Sequence, residues 1–317
     1  MNRISLHRGR SGFGALLCVL PVLMLVWSGC SSVSAVKQQT RKVADVITFS
    51  GGGYKKIIGI MPLENDSFIR KSDFDNLFKT RFFERLERTC PNVIWLKPDD
   101  PDTPNPLDRV PRLASGGIDN LALARQGKAL GLHAVLLAGL INVDAEQKEK
   151  GILLFRDTHY FGRVQLNIAL YSTQTGAKLL DEIVTLQTEV DGAEYEAIAA
   201  KDSAGVYELT EALEEIADTG GDLACETVRE ASWQAFVLDV EGERISFAPG
   251  RESGVRTGDT FEVFDSGEII ENRYGQRFLV PGKKTGDIRV TTVFIGKAEA
   301  EPLGEIYVKT GFIVRPK

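Results

Sequence analysis

The pattern of this chain changes at Trp233, and that change restricts the fold more than any other feature. Before it, short apolar runs alternate with stretches of helical spacing. After it, no helical period survives, and short segments are divided by Gly242, Pro249-Gly250, Gly254, Gly258 and Gly282. Alternating strands and helices build a layered α/β body, whereas regular short strands with turn signals build a small barrel or sandwich. The expectation is an α+β fold, with an α/β sandwich domain over 55–234 followed by a small all-β, barrel-like domain over 235–317.

In the first part, 55–63 (Lys55-Lys56-Ile57-Ile58-Gly59-Ile60-Met61-Pro62-Leu63) is a nearly unbroken apolar run closed by a proline, the signature of a strand buried on both faces. Asp73, with Asn76 three residues on, is expected to cap a helix carrying Phe74, Leu77, Phe78, Phe82 and Leu86, which Cys90-Pro91 ends. Val93-Ile94-Trp95-Leu96 reads as a second strand. Four prolines between Lys97 and Pro106 forbid regular structure, leaving a lid, a partner-facing loop or, most simply, a solvated connection. Residues 118–130 read as a helix stopped by Gly131, and 134–141 as a third central strand. Residues 161–171 alternate, with Val164, Leu166, Ile168 and Leu170 on one side and Arg163, Gln165 and Asn167 on the other. That is a strand with one wet face, turned at 172–176 into a partner over 178–188.

Residues 194–218 are acidic. The run Glu208, Glu211, Glu214, Glu215 and Asp218 has the composition of a cation site, but such runs are more often a solvated helix face. Gly220-Gly221 is expected to break this helix before a second one over 222–233. Strands are expected at 235–240, 244–247, 260–264, 277–280, 287–294, 305–308 and 312–314.

The N-terminus has its own logic. Arg3, Arg8 and Arg10, without an acid, precede the apolar run from Leu16 to Trp27, which is too short to span a bilayer and has the form of a secretory signal peptide. Ser28-Gly29-Cys30 resembles a bacterial lipobox. The resemblance implies cleavage after residue 29, acylation of Cys30 (palmitate among the acyl groups) and, with Ser31 next, passage to the outer membrane. The alternative is an ordinary secreted protein in which Cys30 is a bystander. Residues 30–54 then form a lipidated N-terminus and flexible linker. Cys18 leaves with the signal, so Cys90 and Cys225 remain in an oxidising compartment, as a disulfide or as two buried thiols.

Two sets of segments carry a resemblance to known families. Residues 57–65, Ala134-Val135-Leu136-Leu137-Ala138-Gly139 and 166–176, in this order, resemble the α/β domain of the curli-secretion lipoprotein (CsgG), the TolB N-terminal domain and the middle domain of flagellar assembly protein T (FlgT). Ile245-Ser246-Phe247-Ala248-Pro249-Gly250, residues 253–264, Gly286-Asp287-Ile288-Arg289-Val290 and 309–314 resemble the FlgT C-terminal domain. The resemblance implies a CsgG/TolB-N-like α/β sandwich followed by a FlgT C-terminal-like β-domain. Its implied roles are an assembly factor or scaffold for an envelope structure, a curli-type secretion channel subunit, or a lipoprotein activator of a periplasmic cell-wall enzyme. In the channel, hairpins from 142–160 and 188–206 would have to cross the membrane. However, Asp144, Glu146, Lys148 and Lys150 fall on one face of any strand drawn there, with Gln147 and Glu149 on the other.

No chemistry stands out. His133 and His159 lie in separate segments without metal-ligand spacing, the first read as structural and the second as a surface loop residue. There is no nucleophile elbow and no phosphate loop, and Gly51-Gly52-Gly53 precedes a strand rather than a helix. The expectation is no enzyme, no cofactor, no metal and no small-molecule substrate. Loss of the three leader arginines takes the formal charge from −6 to about −9, which argues against nucleic acid. The expected partners are the membrane, through the N-terminal lipid, and envelope proteins or further copies of the chain.

Overall fold

In this computed structural model, residues 53–98, 100, 107–152 and 155–317 are described, and Cys30 with most of the expected linker lies outside them. Tyr54–Lys317 forms one compact unit. Its first layer is a mixed sheet of six strands: β1 (Lys56–Ile60), β2 (Glu64–Asn65), β3 (Val93–Leu96), β4 (Ala134–Ile152), β5 (Phe155–Ser172) and β6 (Lys178–Val190). The order is β3-β1-β4-β5-β6, with β2 beside β4. β3, β1 and β4 run parallel, while β4, β5 and β6 form an antiparallel meander.

Helices cover the sheet on both faces. α1 (71–89) is α-helical at Lys71–Asp73, π-helical at Phe74–Lys79 and α-helical again at Thr80–Thr89. α5 (Thr210–Glu230) lies against it. Together they bury Phe74, Phe78, Phe82, Leu86, Leu213 and Ile216 on Ile58, Leu136, Leu166 and Ile168. On the opposite face α2 (Asn120–Ala129) buries Leu123 against Val135, Ala169 and Tyr171. α3 (Gly192–Ala199) and α4 (Ser203–Glu208) lead into α5.

The second part closes into a six-stranded barrel of order β12-β13-β8-β7-β14-β9. Its strands are β7 (Ala235–Glu241), β8 (Arg244–Ala248), β9 (Thr260–Phe264), β12 (Lys284–Val293), β13 (Ala298–Pro302) and β14 (Ile313–Pro316). A hairpin of β10 (Glu268–Glu271) and β11 (Arg277–Val280) projects from it. Phe247, Phe261, Ile288, Val290 and Val314 fill the barrel, which removes every sheet edge there.

Several expectations need correction. Gly220-Gly221 does not break the helix: α5 runs through both. A Cβ on Gly220 would lie 2.5 Å from Leu166 Cδ2, and one on Gly221 2.7 Å from Arg85 Cγ. The pair is small because α5 crosses α1 and the sheet at close range. Helix α1 begins at Lys71, so Asp73 sits inside it, paired with Arg70 at 3.0 Å, rather than capping it. Helix α2 starts later than expected, with Asp119 as its cap, accepting from the Ala122 amide at 3.0 Å. The strands expected at 134–141 and 161–171 extend through 142–152 and 155–160 as one ladder, so His159 lies on β5 and not in a loop. Residues 305–308 are a loop, and β13 takes the place beside β8 that pattern did not reveal. Tyr54 belongs to the folded body rather than the linker: its hydroxyl donates to Asp259 at 3.0 Å and its ring packs 4.8 Å from that of Trp233.

Candidate functional site

β4, with 19 residues, is about 60 Å long, far longer than the five-residue β1 that it accompanies. Beyond Leu140 no described strand pairs with its outer edge, and it projects with β5 and β6 as a ribbon. One face of the ribbon is apolar and covered. Val143, Val164, Leu186 and Val190 meet Ile198 of α3, Val206 of α4 and Leu209. Gly162 makes this possible, since a Cβ there would stand 2.5 Å from Leu209 Cδ2.

The other face of the ribbon carries no helix among the described residues and is polar. The register sets Asp144 beside Arg163 and Gln187, Glu146 beside Phe161 and Glu189, and Asn142 beside Gln165 and Thr185. Arg163 grips Asp144 with two bonds of 2.8 and 2.6 Å, and Asn142 adds a third at 2.8 Å. These donors hold the Asp144 carboxyl below the usual carboxylate range, the arginine bond being the larger cause. Gln187 donates to Glu146 at 2.7 Å and accepts from Lys148 at 2.9 Å. Lys148 and Lys150 stand over the Phe161 ring at 5.2 and 5.0 Å. His159 pairs with Glu189 at 2.6 Å. Opposite charges therefore alternate across the strands, a pattern that pins register and leaves a wet, nearly neutral surface. Nearer the body the same open face presents Ile183, 59% exposed. The charges of Asp144, Glu146, Lys148 and Lys150 stand where sequence periodicity put them, on one face of the strand.

The helix pair beneath is braced by charge. Arg81 binds Asp218 through 2.9 and 2.7 Å bonds, and Arg85 binds Asp222 through 2.7 and 2.5 Å bonds. The Arg81 guanidinium, with Arg85 and Arg88 nearby, holds Asp218 below its ordinary value. Asp218 is thus a brace and not part of a solvated or cation-binding face, and no group of three metal-type ligands occurs among the described residues. Cys90, at the end of α1, and Cys225, on α5, face each other as a bonded pair with Cα atoms 5.9 Å apart.

The sheet meets the barrel through His133. Its Nδ1 accepts from the Ile57 amide at 2.9 Å, its Nε2 has no hydrogen-bond partner, and its ring lies 5.7 Å from that of Trp233. Burial pushes its pKa down to about 3. Lys56 caps the C-terminus of α5 by donating to the Val228 and Arg229 carbonyls at 2.6 and 3.1 Å. Arg277 of β11 pairs with Asp119 at 3.1 Å, tying the barrel hairpin to the start of α2. At the far rim of the barrel, Glu243, Glu301 and Glu305 with Val240, Ile306 and Tyr307 line an open groove of about 650 Å³.

Sequence reasoning missed the ribbon's length and the Phe161 platform. Sequence pattern presents 142–160 only as a candidate membrane-crossing hairpin, against which its charges stand, and not as a strand extending the sheet.

No protein-family model matches the chain, and no curated protein does. Among solved structures, lipoprotein GNA1162 from Neisseria meningitidis aligns at 13% identity and TM-score 0.25, over 51% of this chain and 99% of its own. A minor lipoprotein from Acinetobacter baumannii aligns at 10% identity and TM-score 0.28, over 55% of this chain and 95% of its own. The hypothetical protein CT253 from Chlamydia trachomatis aligns at 10% identity and TM-score 0.26, over 54% and 99%. Bacterial lipoproteins are thus among the structures this chain aligns with, at a likeness too low to carry an argument.

Proposed function

We propose that this protein is a non-catalytic lipoprotein, anchored through Cys30 in the outer membrane and facing the periplasm. There it serves as scaffold or assembly factor for an envelope structure of flagellar or secretion type. In this reading 55–234 is a CsgG/TolB-N-like sandwich and 235–317 a FlgT C-terminal-like β-domain. The single observation that supports it best is the ribbon. Where β4, β5 and β6 project from the body, one face is fixed by α3, α4 and Leu209, while the other is pinned by cross-strand pairs and covered by no described helix. A rigid, uncovered, polar sheet face suits recognition of another folded protein.

The test is site-specific photo-crosslinking in cells, with the reactive group at Ile183 or Thr185 on the open face and, as control, at Glu230 on α5. The expected result is a discrete envelope-protein adduct from the ribbon positions alone, lost in Cys30→Ala cells where the chain is no longer anchored. Equal labelling from all three positions would refute the assignment of the surface.

A further inference from the structure

The barrel carries a second feature, at the rim where the N-terminal segment enters the body. The turn between β12 and β13 is Phe294-Ile295-Gly296-Lys297. Ile295 is 82% exposed and Phe294 41%. An isolated exposed aliphatic residue is ordinary, but this pair sits at the tip of a turn that is unusually well tied. The Phe294 amide donates to the Lys297 carbonyl at 2.8 Å, and the Phe294 carbonyl accepts from the Arg251 amide at 2.9 Å. The Gly296 amide donates to the Glu252 carboxylate at 2.9 Å, and the Arg251 guanidinium donates to the Val293 carbonyl at 2.8 Å. Gly296 takes a φ of 79°, which the turn needs and a larger residue resists.

The tip thus offers two large apolar side chains on a turn in which the Phe294 amide and carbonyl and the Gly296 amide are already engaged. Backbone groups that are already paired lower the cost of moving such a tip toward apolar surroundings. Cations stand around it. Lys297 lies over the Phe294 ring at 5.4 Å, and Arg251 is exposed beside it. Lysine and arginine at that depth meet lipid phosphates, while Glu252 is spent on the turn.

The position of the tip matters as much as its chemistry. The Lys55 amide donates to the Ser253 carbonyl at 2.7 Å, and Ser253 closes the short helical turn that Arg251 opens. The chain therefore joins the body within about 10 Å of the tip, two residues of a tight helix rising only ~4 Å. Between Cys30 and Gly53 lie 22 residues. A random coil of 22 residues spans about 25–30 Å root-mean-square. An anchor at that distance would hold this rim near the surface at an effective concentration that makes even weak insertion productive.

We infer that the Phe294-Ile295 tip, with Lys297 and Arg251, docks into the phospholipid surface to which the N-terminus is anchored and so orients the body. The inference rests on the proposed anchor at Cys30, and its test is built to be independent of acylation. Chain 30–317 with Cys30→Ala and an N-terminal hexahistidine is held on phosphatidylethanolamine–phosphatidylglycerol vesicles containing nickel-chelating lipid. Ile295→Trp serves as the reporter and Tyr307→Trp, on the opposite barrel rim, as the control. Trp95 and Trp233 are 7% and 8% exposed and give a constant background.

The expected result is a blue shift on vesicle addition for Ile295→Trp, with quenching by lipid brominated high on its acyl chains at least twofold stronger than for Tyr307→Trp. Emission of the tethered Ile295→Trp chain that stays as in solution overturns the inference. Emission already blue-shifted before vesicles are added overturns it too, since the tip would then be covered by another copy. Intact mass of the native mature protein tests the anchor separately.

Discussion

Breaking the Cys90–Cys225 link should loosen the whole α1–α5 layer, by an amount that follows from the chain between the two residues. They are separated by 135 positions, so an intact bond closes a loop far longer than any surface loop. The chain-entropy model gives about 5 kcal/mol for a loop of this length, while measured losses are usually ~2–4 kcal/mol. The Cα separation of 5.9 Å lies within the range that a disulfide spans without backbone movement. The neighbourhood adds its own resistance. The Arg85–Asp222 pair and the close approach at Gly220 and Gly221 hold the same two helices together, so reduction should destabilise rather than unfold. For a body of this size each kcal/mol is worth about 2–4 °C, which predicts a fall in melting temperature of about 5–15 °C on reduction. The assay is thermal unfolding of chain 53–317 with and without reductant, beside the Cys90→Ala/Cys225→Ala double variant. That variant should melt near the reduced protein and ignore the reductant. Two titratable thiols in unreduced native protein, or a melting temperature indifferent to reductant, would refute the reasoning.

Three further outcomes follow from the same structure. His133 has a folded pKa pushed down to about 3 by burial, against 6.5 when free. The unfolded chain therefore takes up the proton first, and this residue's contribution to stability falls as pH drops from about 6.5 toward 3. His133→Asn keeps an acceptor for the Ile57 amide but cannot titrate, so urea unfolding of this variant across that window should be flatter with pH; an identical slope would contradict the assignment. A fragment of residues 233–317 should melt cooperatively, because its apolar interior closes on itself, but below the full body, because it lacks the Tyr54 ring and hydroxyl; the absence of any transition by calorimetry would count against an independent β-domain. Mature protein in planar bilayers should give no discrete conductance, because the ribbon's apolar face, with Val143, Val164, Leu186 and Val190, is already covered by α3, α4 and Leu209, and its outer part carries Gln147 and Glu149, so no charge-free span is left for lipid. Stable steps would promote the channel reading.

The sequence by itself determined the class of each part and most of its central elements. Ile57 to Met61, Val135 to Leu140 and the alternation of Val164 to Leu170 demand strands, because burial on one or two faces leaves a period that no other structure shares. The loss of helical spacing after Trp233, with glycine at each turn, demanded an all-β part. Tertiary structure decided the rest, in each case by supplying a neighbour that the local pattern does not contain. Gly220-Gly221 reads as a helix stop until α1 is laid across it. Ala298 and Ala300 are poor strand formers alone, yet both are fully buried on β13, because the barrel needed small side chains facing Phe247 and Ile245. Tyr307 and Val308 look like a strand, but once the barrel is closed no edge remains for them to pair with. Asp144 to Lys150 has no pattern that demands a strand until Arg163, Gln187 and Phe161 are set opposite, since cross-strand pairing and not propensity carries β4 to its full length.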